Sequence, residues 1–383
     1  MSDLSEFEEI RPYSDDEAVA ALARVSSNPI LPVISKYLFS GEDPRYLSAA
    51  LQKVSSIENF QSEVMSSVVS QILVKTSEGF TVSGIENLKG LDNGFIAFSN
   101  HRDIVLDPAL ILYTLNGLKM PCCELCIGSN LIQNQLVEDL MRSNRMIKVI
   151  RGVSARQLYM SSRTLSKYIR RKVVEDGGSV WIAQREGRTK DGKDATEQGL
   201  LKMFDLSGSG SFEQNFQELH IVPMSISYEY ESCDSRKARE IFLKKHNDGQ
   251  YRKRPNEDLH SIMTGIRQQK GHIHLTVGKP LSADEIESAA AFNGNDRYHA
   301  LMSILDERIN GGYKLWKTNY MGYDLMHGAT TFLGSKYLPE DLEQFMEYTE
   351  HKLGKLESRL DRQELKDIFW HIYGNPVAAK NTL

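Results

Sequence analysis

The pattern of apolar and polar positions divides the 383-residue chain into three stretches. In residues 1–76 apolar side chains recur at helical spacing, most clearly at 15–23 and 60–69, which predicts a helical N-terminal region. From 77 to 282 short β-like runs at 80–82, 95–98, 147–150, 179–183, 220–227 and 272–277 alternate with helical patterns. That alternation predicts an α/β domain with a mixed, mostly parallel sheet flanked by helices. Residues 283–383 return to helical periodicity and form a second helical extension, ending in the amphipathic stretch 342–349 and its continuation to Tyr373. The sequence contains no internal repeat and no low-complexity segment. No apolar run approaches the ~20 residues that span a bilayer, so membrane contact is expected to be peripheral.

The run Gly94-Phe95-Ile96-Ala97-Phe98 empties into Ser99-Asn100-His101-Arg102-Asp103-Ile104-Val105-Leu106-Asp107-Pro108. A histidine between two carboxylates is suited to general-base chemistry. Its unperturbed pKa lies near ~6.5, and a carboxylate on the far ring nitrogen fixes the tautomer and stabilises the cation formed on proton uptake. Asp107 followed by Pro108 and Ala109-Leu110-Ile111-Leu112 also reads as a helix start, with Asp as N-cap and Pro at the first helical position. The two roles are compatible, because a capping carboxylate keeps lone pairs for an imidazole.

With 40% hydrophobic and 25% charged residues the chain has an ordinary globular composition, which argues against disorder as a whole. The acidic start Met1-Ser2-Asp3-Leu4-Ser5-Glu6-Phe7-Glu8-Glu9 lacks the basic and apolar parts of a secretory signal, so a cytoplasmic location is expected. Cys122, Cys123, Cys126 and Cys233 are a poor disulfide framework and are expected to be free thiols. Cys123-x-x-Cys126 has zinc spacing but lacks a second pair, and His272-x-His274 sits in an alternating surface strand, so no metal is expected.

The net charge of −5 hides an asymmetry: ten basic residues and no acidic one lie between Met141 and Lys172. Such a segment suits an anion, an acidic partner or an anionic lipid surface. Arg163, Lys167, Arg170, Arg171 and Lys172 interleave with apolar residues at helical spacing and read more readily as a solvated helix face. Arg151 differs, because it follows the run Met146-Ile147-Lys148-Val149-Ile150 and precedes Gly152, at a strand end where open α/β sheets bind ligands. A guanidinium there can grip a phosphate through two parallel hydrogen bonds. After the run 179–183 comes Gln184-Arg185-Glu186-Gly187-Arg188-Thr189-Lys190-Asp191-Gly192. Gly187 allows close backbone approach, and Arg188 and Lys190 supply charge beside it; a plain turn explains the glycines equally well.

In order over about 200 residues, these blocks resemble the glycerolipid acyltransferase family, the glycerol-3-phosphate and 1-acylglycerol-3-phosphate acyltransferases. Asn100-His101-Arg102 with Asp107 is similar to the family's His-x4-Asp block. Ile127-Gly128-Ser129-Asn130-Leu131 and Val149-Ile150-Arg151 resemble its second block, Glu186-Gly187-Arg188 its third, and Ile221-Val222-Pro223 with the following strand its fourth. Two departures stand out. Leu106 occupies the usual Asp position, so either the turn carries one extra residue and Asp107 serves, or Asp103 does. Gly152 replaces a second Arg common in the glycerol-3-phosphate branch, whereas the Glu-Gly-Arg-Thr third block leans toward that branch.

The resemblance implies that His101, oriented by Asp107 or Asp103, takes the proton of an acceptor hydroxyl that attacks the thioester of acyl-CoA or acyl carrier protein. Arg151, Arg188 and Lys190 would hold the phosphate of a glycerol phosphate or lysophospholipid acceptor, with Glu186 and Gly187 shaping the pocket. The thioester supplies the driving force, so no cofactor is implied, and neither is a nucleic-acid partner. Alternatives left open are a non-catalytic lipid- or carrier-binding member and an enzyme using another alcohol or an amine. For peripheral contact with the inner face of the cell membrane the candidates are the basic helix near Arg170 and the cluster Lys244-Lys245 with Arg252-Lys253-Arg254. Both are equally readable as solvated surface or as a site for an acidic carrier protein.

Overall fold

The computed structural model describes residues 4–91 and 94–381; Met1, Ser2 and Asp3, part of the acidic start, lie outside them. Seven strands, β1 (Gly79–Ser83), β2 (Ile96–Ser99), β3 (Glu124–Gly128), β4 (Met146–Val149), β5 (Val180–Ala183), β6 (Ile221–Tyr228) and β7 (His272–Val277), form one sheet in the order β1-β7-β6-β2-β5-β3-β4. Every neighbouring pair is parallel except β6 and β7. The fold is therefore α/β, with a mixed, mostly parallel sheet covered by helices on both faces.

β2 and β6 are central and buried along their whole length, as expected for parallel strands packed on both sides. Their side chains alternate between two cores. Phe95 and Ala97 face a core shared with the helices Asp15–Ser26, Ser66–Thr76 and Leu106–Gly117. Ile96 and Phe98 face one shared with Ala155–Arg170, Gln198–Asp205 and Asp296–Gly312. A third core gathers the helices Lys317–His327, Pro339–Leu353 and Arg362–Asn381 against Asp234–Lys245. The stretch after Pro280 thus divides: 283–312 packs on the sheet through Ile286, Leu301, Leu305 and Ile309, and only the later helices build the third core.

β3 has no counterpart among the six sequence runs. A carboxylate at its head disguises it, because Glu124 is buried and stays so by accepting from Tyr168 Oη at 2.8 Å and pairing with Lys172 Nζ at 2.9 Å. β3 also settles the cysteine spacing. Cys123 packs into the first core and Cys126 into the second, on opposite faces of the sheet, so the two thiols cannot share one ion. All four cysteines are free thiols, and burial pushes the Cys122, Cys123, Cys126 and Cys233 thiols up.

The carboxyl ends of β2, β5 and β6 are tied by a buried polar knot. Arg102, 1% exposed, donates to Asp194 Oδ2 through Nη2 at 2.6 Å and Nε at 3.2 Å, to the Gly192 carbonyl at 3.2 Å and to Glu231 at 3.3 Å. Asn100 donates to Asp194 and to the Ile226 carbonyl, both at 3.0 Å, and accepts from the Ile226 amide at 2.8 Å. Thr189 Oγ1 supplies the second Asp194 oxygen at 2.6 Å, and Lys237 Nζ closes the knot on Glu231 at 2.5 Å and the Arg102 carbonyl at 2.9 Å. Every charge has a partner, which is the condition for keeping charges out of water.

Removing one partner should be costly. Asp194→Ala is expected to lower unfolding free energy by roughly 3–5 kcal/mol in denaturant titrations followed by tryptophan fluorescence. A loss under about 1 kcal/mol would show that the knot is not a structural requirement.

Candidate functional site

His101 stands two residues after the end of β2, in a non-helical turn before the helix Leu106–Gly117. The amide of Thr189 donates to its carbonyl at 2.7 Å, and the knot grips Asn100 and Arg102 on either side, so the backbone under the imidazole is held from three directions. The ring itself is 13% exposed. Trp181, from β5, meets it edge-on with centroids 5.6 Å apart, and its own indole N–H donates to Ser99 Oγ at 2.9 Å.

Of the two carboxylates weighed from sequence, Asp107 is the one that meets the imidazole. Asp107 Oδ2 lies 2.8 Å from His101 Nδ1 and also accepts the amides of Arg102 at 2.5 Å and Asp103 at 2.8 Å. Its other oxygen accepts from Tyr228 Oη at 2.6 Å. Asp107 therefore faces the imidazole across a turn one residue longer than the resembled block, and it is not the N-cap. The capping work falls to Asp103, whose Oδ1 accepts from the amides of Val105 at 2.9 Å and Leu106 at 2.8 Å, while Oδ2 is engaged by Ser232 Oγ. With those bonds made, Asp103 is turned away from the ring. The helix begins one residue before Asp107, so Pro108 falls at its third position, where its missing N–H is still no loss.

With Nδ1 committed to Asp107, Nε2 is the free edge of the ring, and His101 lines a cleft of about 920 Å³. The cleft opens at the carboxyl ends of the strands, where parallel sheets present their ligand sites. Its cationic lining comes from Arg151, Arg185, Arg188 and Lys190, with Lys244, Lys245 and Lys253 near the rim; Ile104, Ile127, Leu131 and Trp181 supply an apolar wall.

All five sequence-predicted binding residues, Arg151, Glu186, Gly187, Arg188 and Lys190, line this cleft, but they are not equally free. Arg151 pairs with Glu186 at 2.7 Å, and Glu186 is mostly solvent-exposed. Lys190 is paired with Glu240, and burial pulls its ammonium down. Arg188 keeps a buried Nη1 without a partner. So does Arg185 at Nε, a residue the sequence reading passed over although it stands beside the Glu-Gly-Arg block. Two guanidinium groups with buried, unbonded nitrogens in one cleft are what an incoming anion would complete. Gly187 adopts φ +69° with open space around it, so the turn itself explains that glycine. Gly128 is the close-approach position, because a Cβ there would lie 2.5 Å from Asn130 Oδ1 and 3.0 Å from Arg151 Nε.

Tyr228 was also missed. It is the last of Val222, Met224, Ile226 and Tyr228, which point from β6 into one core, and a hydroxyl at an inward position signals a buried partner. Burial and the carboxylates of Asp107 and Asp103 hold its phenol far above the ordinary range, so it remains a neutral donor to Asp107. Outside the cleft, Glu78, Glu229 and His272 bring ligand atoms within 4.8 Å of one another at the exposed β1-β7-β6 edge; His272 is already bound to Glu229 at 2.7 Å and stacked on Trp316.

No family model matches the chain, and no curated protein matches it. Among solved structures it is similar to the 1-acyl-sn-glycerophosphate (LPA) acyltransferase PlsC from Thermotoga maritima, at 13% identity and a TM-score of 0.40, over 76% of this chain and 94% of that one.

The His101–Asp107 contact is directly observable. A downfield imidazole N–H proton resonance is expected in the native protein and in Asp103→Asn, and is expected to vanish in Asp107→Ala. Loss in Asp103→Asn with retention in Asp107→Ala would reverse the assignment.

Proposed function

We propose that the chain is an acyltransferase that moves a fatty acyl group from the thioester of acyl-CoA or acyl carrier protein to a hydroxyl of a glycerol phosphate acceptor, either glycerol 3-phosphate or its 1-acyl derivative. The observation that carries this reading is the conjunction of a carboxylate-oriented imidazole with unpartnered guanidinium groups in one cleft. The order of the four sequence blocks supports it.

In this reading His101 Nε2 removes the acceptor hydroxyl proton as the oxygen attacks the thioester carbonyl carbon. The imidazolium formed is stabilised by Asp107, whose two backbone amides and Tyr228 hydroxyl keep it in place while the ring charges. Collapse of the tetrahedral intermediate breaks the C–S bond. His101 returns its proton to the departing sulfur, which leaves an ester, a free thiol and a neutral imidazole. Arg188 and Arg185 hold the acceptor phosphate, and Arg151 joins them when the anion displaces Glu186. Fixing the phosphate brings the hydroxyl to His101 and removes much of the entropic barrier. The apolar wall of Ile104, Ile127, Leu131 and Trp181 receives the start of the acyl chain.

With purified protein, acyl-CoA and candidate acceptors, His101→Ala should cut thiol release on the order of 10²- to 10⁴-fold while leaving the melting temperature unchanged. Arg188→Ala and Arg151→Ala should each raise KM for the phosphorylated acceptor by about tenfold or more with kcat less affected. Full activity in His101→Ala would end the general-base assignment. Unchanged KM in both arginine variants would remove the phosphate site. Tyr228→Phe should lower kcat by about tenfold and shift the acidic limb of the pH–rate profile, since it removes one donor from Asp107 without emptying the core; an unaltered profile would leave Tyr228 a packing residue.

A further inference from the structure

The basic stretch between Met141 and Lys172 is mostly spent inside the molecule. Arg142 and Lys148 share Glu138, Lys167 pairs with Glu6, Arg170 with Glu218 and Lys172 with Glu124. The helix end near Arg170 is therefore neutralised and anchored, with Leu165, Tyr168 and Ile169 buried in the second core. The rim cluster is largely paired as well, through Lys245–Glu364, Lys253–Asp258 and Arg254–Glu357. In both clusters most of the cations are thus held in ion pairs within the chain.

The opposite end of the same helix is built differently. Residues 152–160 are all exposed, nine in succession. Ser154 caps the helix through a reciprocal bond pair with Gln157, so the projecting end is held as helix although nothing packs around it. It carries Leu158, Tyr159 and Met160 at 48, 58 and 60% exposure, with Val153 at 37% just before them. Arg156 and Arg163 flank these side chains and have no ion pair among the described residues. The loop that leads into this tip, Arg151-Gly152, is part of the cleft wall.

We propose that this tip is a membrane dock, and that it inserts Leu158, Tyr159 and Met160 into the headgroup region of an anionic bilayer with Arg156 and Arg163 on lipid phosphates. Three consecutive residues are spread over about 200° of helix circumference, since each step turns about 100°. One groove on a protein partner covers a single stripe of a helix, whereas a lipid surface closes around a projecting tip from all sides. Tyrosine belongs at that depth, and unpaired arginines are the charge complement of anionic lipid. The dock is continuous with the cleft through Gly152, so a seated molecule presents its cleft wall to the bilayer. The inference stands independently of the acyl-transfer reading.

Co-sedimentation of the full chain with phosphatidylcholine vesicles, with and without phosphatidylglycerol, tests it. The native protein should pellet with the anionic vesicles and be released by salt. The triple variant Leu158→Ser, Tyr159→Ser, Met160→Ser should melt like the native protein and lose roughly tenfold or more in partitioning. Arg156→Gln and Arg163→Gln should each lose about fivefold. His101→Ala should partition like the native protein, which separates failure of chemistry from failure of docking. Native protein that stays in the supernatant, or a triple variant that pellets unchanged, overturns the proposal. So does light scattering that shows a native dimer broken by the triple variant, which would make the tip a contact between two copies.

Discussion

Arg102 is the constraint on which the rest of the structure depends. A guanidinium 1% exposed must be matched by acceptors on every side, and those acceptors come from two separate segments: Asp194 and Gly192 after β5, and Glu231 after β6. The demand for complete pairing therefore draws the ends of three strands together. His101 sits next to Arg102 in the chain and inherits that rigidity without belonging to the knot. An imidazole needs a fixed orientation and an open edge, and a neighbour whose bonds are saturated gives the first without taking the second.

The outlying helices brace the same point. Asn375 in the C-terminal helix donates to the Asp191 carbonyl at 2.7 Å, and the Tyr373 hydroxyl accepts the Glu231 amide at 3.0 Å. Arg102 also stands over the Tyr313 ring at 5.0 Å. The helices after residue 312 thus support the loops that form the cleft from behind, while the N-terminal helices cover the opposite face of the sheet through Leu22, Val69 and Ile72.

Much of this was legible in the sequence. Six of the seven strands announced themselves as β-rich runs, because the central strands buried on both faces are written as continuous apolar segments and the edge-side strand β7 as an alternation of buried and exposed positions. β3 did not, since its leading glutamate is satisfied by Tyr168 and Lys172, residues of a helix more than forty positions away, and no local pattern encodes that. The site divided in the same manner. His101, Arg151 and Arg188 could be picked out because their residue types stand against apolar surroundings at strand ends. The division of labour between Asp103 and Asp107 could not, as it turns on Ser232 and Tyr228, each more than 120 residues downstream. Charge was the least legible property: the ten cations between Met141 and Lys172 gave no hint that Glu6, Glu124, Glu138 and Glu218 neutralise half of them.

Gly128 has a consequence of another kind. An added methyl there would strike Asn130 Oδ1 at 2.5 Å and press on Arg151 Nε at 3.0 Å, because Arg151, just past the end of β4, folds back over the end of β3. The reach of the cationic arm into the cleft is thus set by an absence of atoms on the neighbouring strand. A lineage could retune which anion fits by changing residue 128 alone, without substituting any charged residue of the cleft.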